Sequence, residues 1–265
     1  MTRGILDWPG VLFGWINEPL IAIFPDPIVL AFWALLSSWL TMWVYRRFSN
    51  QEEMAALKPQ VKAIQKELSS YDGEFAGLMP LIRENFRLSG RHILLALGPA
   101  LLAGVPVLFI LVWVSNAFGV TMPTAGAIVE VRAVATGSAD MSGWQWQGAA
   151  AENVSESDEP GRAWRVSWPA PGSSAMLITA HGEDILELPP EHPAPVVHKR
   201  QWWNALIGNP AGYLPPQGPA EAIYLDLPKK QMLAFGPDWM RGWEFLYFVL
   251  LVAGSLGLKH FWRIH

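Results

Sequence analysis

Six histidines and no cysteine set the limits of what reactive chemistry this chain can perform. Without thiols there is no disulfide, no thiolate nucleophile and no cysteine-ligated zinc or iron–sulfur centre. The densest reactive grouping is His181-Gly182-Glu183-Asp184, a base beside carboxylates, with His192 and His198 following as further nitrogen ligands. A helical zinc motif needs two histidines one turn apart so that both rings leave the same face, and these three lack that spacing. Ser138 and Ser142 lack the strand–turn–helix setting that exposes a nucleophilic hydroxyl. No glycine loop is arranged to cradle a phosphate. The expectation is therefore a protein that is not an enzyme, with no catalytic residues, no metal and no cofactor, its histidines satisfied or at the surface.

A different kind of chemistry, polar groups inside an apolar solvent, is offered by Ser37, Ser38 and Thr41. They are the only relief in the apolar run 28–45. The run 93–114 carries no charge at all, and Gly98-Pro99 and Gly104-Val105-Pro106 lie within it. Uncharged runs of about 18 residues or more are long enough to cross the hydrocarbon core as helices. A third run, 245–258, is shorter, but Trp243, Glu244, Lys259 and Arg263 extend it by interfacial anchoring and snorkelling. The glycines and prolines predict an irregular second span whose backbone can be approached closely.

Between the first two runs lies a charged segment, 46–91. Met54, Leu57, Val61, Ile64 and Leu68 fall at steps of three and four on a helix otherwise covered by Lys58, Lys62, Lys66, Glu52, Glu53 and Glu67. This is the stripe of a coiled-coil seam. Tyr71-Asp72-Gly73 reads as a reversal in which glycine supplies a positive φ, and Phe75, Leu78, Ile82 and Phe86 continue the spacing on a returning arm. The segment reads either as a helical hairpin with its seams buried on each other or as a surface helix with a solvated charged face. The two flanking spans favour the hairpin.

Residues 1–27 mix Trp8, Trp15 and aliphatic side chains with Asp7, Glu18 and Asp26, interrupted at Pro9 and Pro19. That predicts an amphipathic segment lying in the membrane interface. From 119 to 238 the texture changes to proline, glycine and serine punctuation with short β-branched and aromatic runs, which predicts strands at 127–135, 143–147, 163–168, 175–179, 184–188 and 222–227 in a small sandwich or open barrel. Residues 152–160, acidic and serine-rich, read as a loop. Trp202-Trp203, between the proline-rich stretches 189–195 and 209–219, either docks on the membrane or completes the β core.

Basic residues decide the orientation. Arg46 and Arg47 follow the first span, Arg83, Arg87 and Arg91 precede the second, and Lys259 and Arg263 follow the third, so the hairpin and C-terminus are expected in the cytoplasm and the N-terminus and 119–238 outside. Arg241 dissents, with Asp238 nearby to offset it. Within 119–238 acids outnumber bases, 13 to 7. The net charge of −4 and the lack of a lysine-rich tract exclude a nucleic-acid surface. The expected fold is an α-helical membrane protein with three transmembrane helices (28–45, 92–116 and 241–259), a cytoplasmic helical hairpin, a short tail (260–265) and an extracytoplasmic all-β, sandwich-like domain. Its expected place is the inner (plasma) membrane, multi-pass.

The order of span, hairpin and proline-bearing span resembles the Oxa/YidC/Alb membrane-insertase superfamily. Met54-Ala55-Ala56-Leu57-Lys58-Pro59-Gln60-Val61-Lys62-Ala63-Ile64 is similar to the "LQPKIQ" start of that family's hairpin, and Leu97-Gly98-Pro99-Ala100-Leu101-Leu102-Ala103-Gly104-Val105-Pro106-Val107 to its "PLLIQIPIF" entry into the next span. The match covers roughly 10–118 and is closest to the three-helix branch, which holds the insertase-like subunit of the endoplasmic-reticulum membrane protein complex and archaeal relatives. The resemblance implies a polar groove open to cytoplasm and lipid, lowering the cost of moving a polar segment across the bilayer. Ser37, Ser38 and Thr41 facing Gly98, Pro99, Gly104 and Pro106 would form it, and the hairpin would receive substrates. Ser37-Ser38 stands where many relatives carry an arginine, and the 119–238 insert is larger than that branch usually shows. The implied function is a membrane-protein insertase or insertion chaperone. The alternative is a structural or assembly subunit that grips a larger membrane complex through the β domain. Partners are lipid and membrane-protein substrates or subunits.

Overall fold

The computed structural model describes residues 3–137, 139–154 and 161–263. They fall into two compact units, Met1–Leu30 with Leu111–Phe245, and Ala31–Ile110 with Leu246–His265. Three helices are long and apolar enough to cross a membrane, and a separate antiparallel β region stands beside them in sequence.

Among the described residues the β region holds eight strands: β1 Ile128–Ala135, β2 Gln145–Gln147, β3 Ala151–Val154, β4 Arg162–Ser167, β5 Ala175–Ile178, β6 Asp184–Leu188, β7 Val196–His198 and β8 Ala220–Leu225. They form a five-stranded sheet ordered β3-β4-β1-β8-β7 and a three-stranded sheet ordered β2-β5-β6. Period-two alternation drives the burial: Val129, Val131 and Ala133 of β1 point into the core, as do Trp164 and Val166 of β4, with Val131 opposite Trp164 in register. Leu177, Leu186 and Leu188 of the smaller sheet join the same core. On the other face Arg132 lies over the Tyr224 ring at 4.4 Å, a cross-strand cation–π pair. All six expected strands are present within two residues at each end. β3 and β7 were not anticipated: Ala151–Val154 runs into the acidic, serine-rich stretch and Val196–His198 adjoins the proline-rich one, and both read as loop. Of the expected loop 152–160, β3 takes the first residues, and 155–160 lie outside the described residues.

The N-terminal segment belongs to this same unit. A 3-10 turn at Ile5–Asp7 leads into helix α1, Gly10–Ile23. Pro19 does not interrupt α1, contrary to expectation. It sits near the end of the helix, where its missing N–H costs one hydrogen bond rather than the helix. Pro9 marks the start instead. Short helix α5, Asp238–Arg241, precedes the last span, and Arg241 pairs with Asp238 at 3.5 Å.

The other helices are α2 Asp26–Phe48, α3 Gln51–Ser69, α4 Phe75–Phe118 and α6 Trp243–Phe261. α4 corrects two expectations. The hairpin's second arm and the second span are one uninterrupted helix of 44 residues, about 66 Å at 1.5 Å per residue. No structural boundary falls near residue 92, and the helix runs through Gly98-Pro99 and Gly104-Val105-Pro106 without a break. Each of these prolines removes one backbone hydrogen bond and sets its ring against the carbonyl four residues back, a cost the long apolar helix absorbs without ending.

Two contacts close the hairpin. At its base Arg91 donates to Glu53 Oε1 from Nε (3.0 Å) and Nη2 (2.5 Å), while Asn50 caps α3 by accepting from the Glu53 N–H. At its tip the Tyr71 hydroxyl, bonded to Glu74 O, lies where a side chain on Gly77 would stand. Gly73 is not in the left-handed region. A Cβ added there would lie 2.8 Å from the Tyr71 hydroxyl, so any larger residue would displace that side chain. The seam is buried only at Met54 and Leu57; Val61, Ile64 and Leu68 are half-exposed. On the returning arm Phe75 and Phe86 are largely uncovered, and the half-buried stripe is Leu78, Ile82, Asn85 and Ser89. Asn85 takes the place assigned to Phe86, one residue and about 100° away.

Candidate functional site

In the helical unit the three serine and threonine hydroxyls of α2 are fully engaged. Ser37 and Ser38 are completely buried. Ser37 Oγ donates to Trp33 O at 2.8 Å, which leaves it an acceptor for the Tyr247 hydroxyl of α6, also at 2.8 Å. Ser38 Oγ lies 2.9 Å from both Ala34 O and Leu251 O, so its one hydrogen is shared between its own helix and α6. Thr41 Oγ1 donates to Ser37 O at 2.7 Å. A Cβ added at Gly254 would lie 2.7 Å from Ser38 Oγ and 3.1 Å from Leu35 Cδ2. α2 and α6 therefore meet at small residues, the packing that lets apolar helices approach closely in lipid and hydrogen-bond across the gap.

This arrangement moves the site. The Ser37 and Ser38 hydroxyls face α6, not the Gly98–Pro106 stretch of α4, and the Thr41 hydroxyl bonds back to its own helix. Around Gly98 and Gly104 there is no atom within 4 Å of an added Cβ, and Leu94, Leu97, Leu101, Leu102, Val105 and Leu108 are uncovered. Pro99 and Pro106 are half-exposed. The structure does not bring the two halves of the expected groove together. The partners that sequence reasoning missed are Tyr247, Leu251 and Gly254. Tyr247 and Gly254 stand seven residues apart on one helix face, a hydroxyl and a gap inside an apolar run, and that spacing was the available signal.

The residues considered for catalysis or metal binding stay apart. Among the described residues no three histidines or carboxylates are grouped to hold a metal ion. His181 sits in an exposed turn where Thr179 Oγ1 accepts from the N–H of His181 (3.2 Å) and of Glu183 (3.1 Å). His198 lies against Trp203 and Tyr213, with ring centroids 5.0 and 5.8 Å away. His192 lines a cavity of about 450 Å³ with Arg3, Asp7, Asn116 and Glu191. There Asp7 is turned to the backbone rather than to the opening, accepting from Gly4 N (2.8 Å) and Gly208 N (2.6 Å). Ser142 serves a turn: its N–H and hydroxyl bond Asp140 and hold that carboxyl below the usual carboxylate range. The stability this exposed group adds is present above the ordinary carboxylate range and lost as pH falls through its lowered value. Ser138 lies outside the described residues.

Trp202 and Trp203 do not complete the β core. They open a short 3-10 turn, Trp202–Ala205, with Trp202 84 % exposed and Leu206 and Ile207 also uncovered.

Comparison of the chain with protein-family models, with curated proteins and with solved structures finds no match.

Proposed function

We propose that this protein works in membrane-protein biogenesis as a non-enzymatic assembly or insertion chaperone that holds a client or partner transmembrane segment against the open side of α4. One observation carries this reading: α4 is the most apolar of the three candidate spans, yet Leu94, Leu97, Leu101 and Leu108 are uncovered around Gly98 and Gly104, which leave room for a second backbone. Small residues flanked by leucines are what a close helix–helix contact in lipid needs. The resemblance of 10–118 to the Oxa/YidC/Alb superfamily agrees with it. Arg46, Arg47, Arg87, Arg91, Lys259 and Arg263 support a cytoplasmic hairpin and C-terminus, with 119–238 outside, in the inner membrane.

Of the two forms, holding is favoured over transfer through a polar groove, because Ser37 and Ser38 are already bonded within the protein. Transfer is favoured by the hairpin, which leaves Phe75, Met79 and Phe86 uncovered along the arm that leads into the span. The test uses the purified protein in liposomes, with a photo-crosslinker at Leu101 and a single-span client with a short polar tail. Wild type is expected to crosslink the client span. Filling the face with Gly98→Leu and Gly104→Leu should lower crosslinking several-fold without loss of thermal stability, since leucine is the better helix former by about 1 kcal/mol at each place. No crosslink by wild type ends the proposal; capture without tail translocation selects the assembly form over the insertase.

A further inference from the structure

We infer that α1 and the segment 202–207 together form a lipid-docking surface that holds the β domain against the bilayer at the boundary of headgroups and acyl chains. α1 is inside out for a helix in water. Gly10, Phe13, Asn17 and Leu20 face the protein, Asn17 being its one buried residue, whereas Val11, Leu12, Trp15, Ile16 and Ile23 are exposed. At 100° per residue these apolar positions, with Ala22, cover an arc of about 140°. A single packed partner helix needs a narrower seam, so a fluid apolar phase fits this width better than one protein contact.

The position of α1 in the chain fixes which phase that is. Only Phe24 and Pro25 separate α1 from α2, one of the candidate spans. Three chain steps reach about 10 Å, so the end of α1 cannot leave the start of that span. The helix itself has 14 residues, about 21 Å, short of the roughly 30 Å hydrocarbon core, so it lies in or dips into the boundary instead of crossing.

The second segment is tied to the first by backbone. Leu6 N donates to Leu206 O at 2.9 Å, and Asp7 Oδ2 accepts from both Gly4 N and Gly208 N. Gly4 touches the Leu206 carbonyl so closely that no side chain would fit. Ile5, Trp8, Trp202, Leu206 and Ile207 are all uncovered around this joint, Trp8 at 82 %. An indole suits the boundary, with an apolar ring for the acyl region and an N–H for the headgroups. The surface is assembled from both ends of the sequence of this unit and presented as one body.

The test uses the full-length protein in liposomes. Because the chain has no cysteine, single cysteines at Trp8, Leu12, Trp202 and Ile207 can each carry a spin label, with Ser174→Cys as an exposed reference on the β domain. Labels on the docking surface should collide several-fold more often with oxygen, which partitions into lipid, than with a water-soluble nickel complex, and the Ser174 label should show the reverse. Nickel-dominated collisions at both 8 and 202 would overturn the inference by placing the surface in water. Labels shielded from both reagents would overturn it too, by showing a protein partner or second copy there. Using two positions per segment, Trp8 with Leu12 and Trp202 with Ile207, keeps the test decisive when one variant does not fold.

Discussion

At the scale of single residues, polar atoms in this protein's apolar helices are used for cohesion. Each serine and threonine hydroxyl of α2 has an acceptor in reach, and two of these three reach α6. Tyr247→Phe removes the donor to Ser37 but leaves the Ser37-to-Trp33 bond intact, so the loss should be small, about 0.6 kcal/mol, typical of hydrogen bonds between helices in lipid. Gly254 is the sharper probe. Gly254→Val forces atoms into the space of Ser38 and Leu35 and should destabilise the helix pair by about 1–3 kcal/mol, as overpacking does. Gly257→Val, on the same helix with nothing within 4 Å, should not. Thermal unfolding of the two variants in one detergent checks this: equal melting temperatures would show that Gly254 is not a packing contact.

At the scale of elements, the hairpin is fastened at its ends and loose between them. Leu57 is 4 % exposed, so Leu57→Asp buries a carboxylate and should cost about 2–5 kcal/mol. Val61→Asp, half-exposed, should cost much less, and Arg91→Ala, breaking an ion pair of which Arg91 is 63 % exposed, at most about 1 kcal/mol. Limited proteolysis of the hairpin reads this order, and equal resistance of the Leu57 and Val61 variants would contradict it. The strands of the β region were readable because Val129, Val131, Trp164 and Val166 alternate with Glu130, Arg132 and Arg165, a signal that is local. The spans were readable for the same reason, from uninterrupted apolar runs. What the sequence concealed is pairwise. Nothing near Ser37 in the chain says that its partner is Tyr247 rather than the Gly98 neighbourhood, because one apolar helix face looks like another until packing chooses between them. The continuity of α4 was hidden by rules learned from helices in water, where proline inside a helix is costly.

At the scale of the molecule, the contacts of α2 with α6 fix their relative direction. Ser37 meets Tyr247, Ser38 meets Leu251, and Arg46 lies 5.8 Å from the Trp262 ring, so residue numbers rise together and the two helices run parallel. Parallel spans require the chain between them to recross the membrane, which α4 is long enough to do. With the orientation proposed above, Ser69→Cys on the hairpin should label only from the cytoplasmic side and Ser174→Cys only from outside. Labelling of both from one side would remove the three-span topology. The joint between Asp7 and Gly208 also sets an order of events during synthesis. These residues are 201 positions apart, and at about 5–20 residues per second the first of them waits some 10–40 s for the second. Through that interval the Ile5–Trp8 stretch lacks its bonds to Leu206 and Gly208, so its final backbone pairing waits for chain made some 200 residues later.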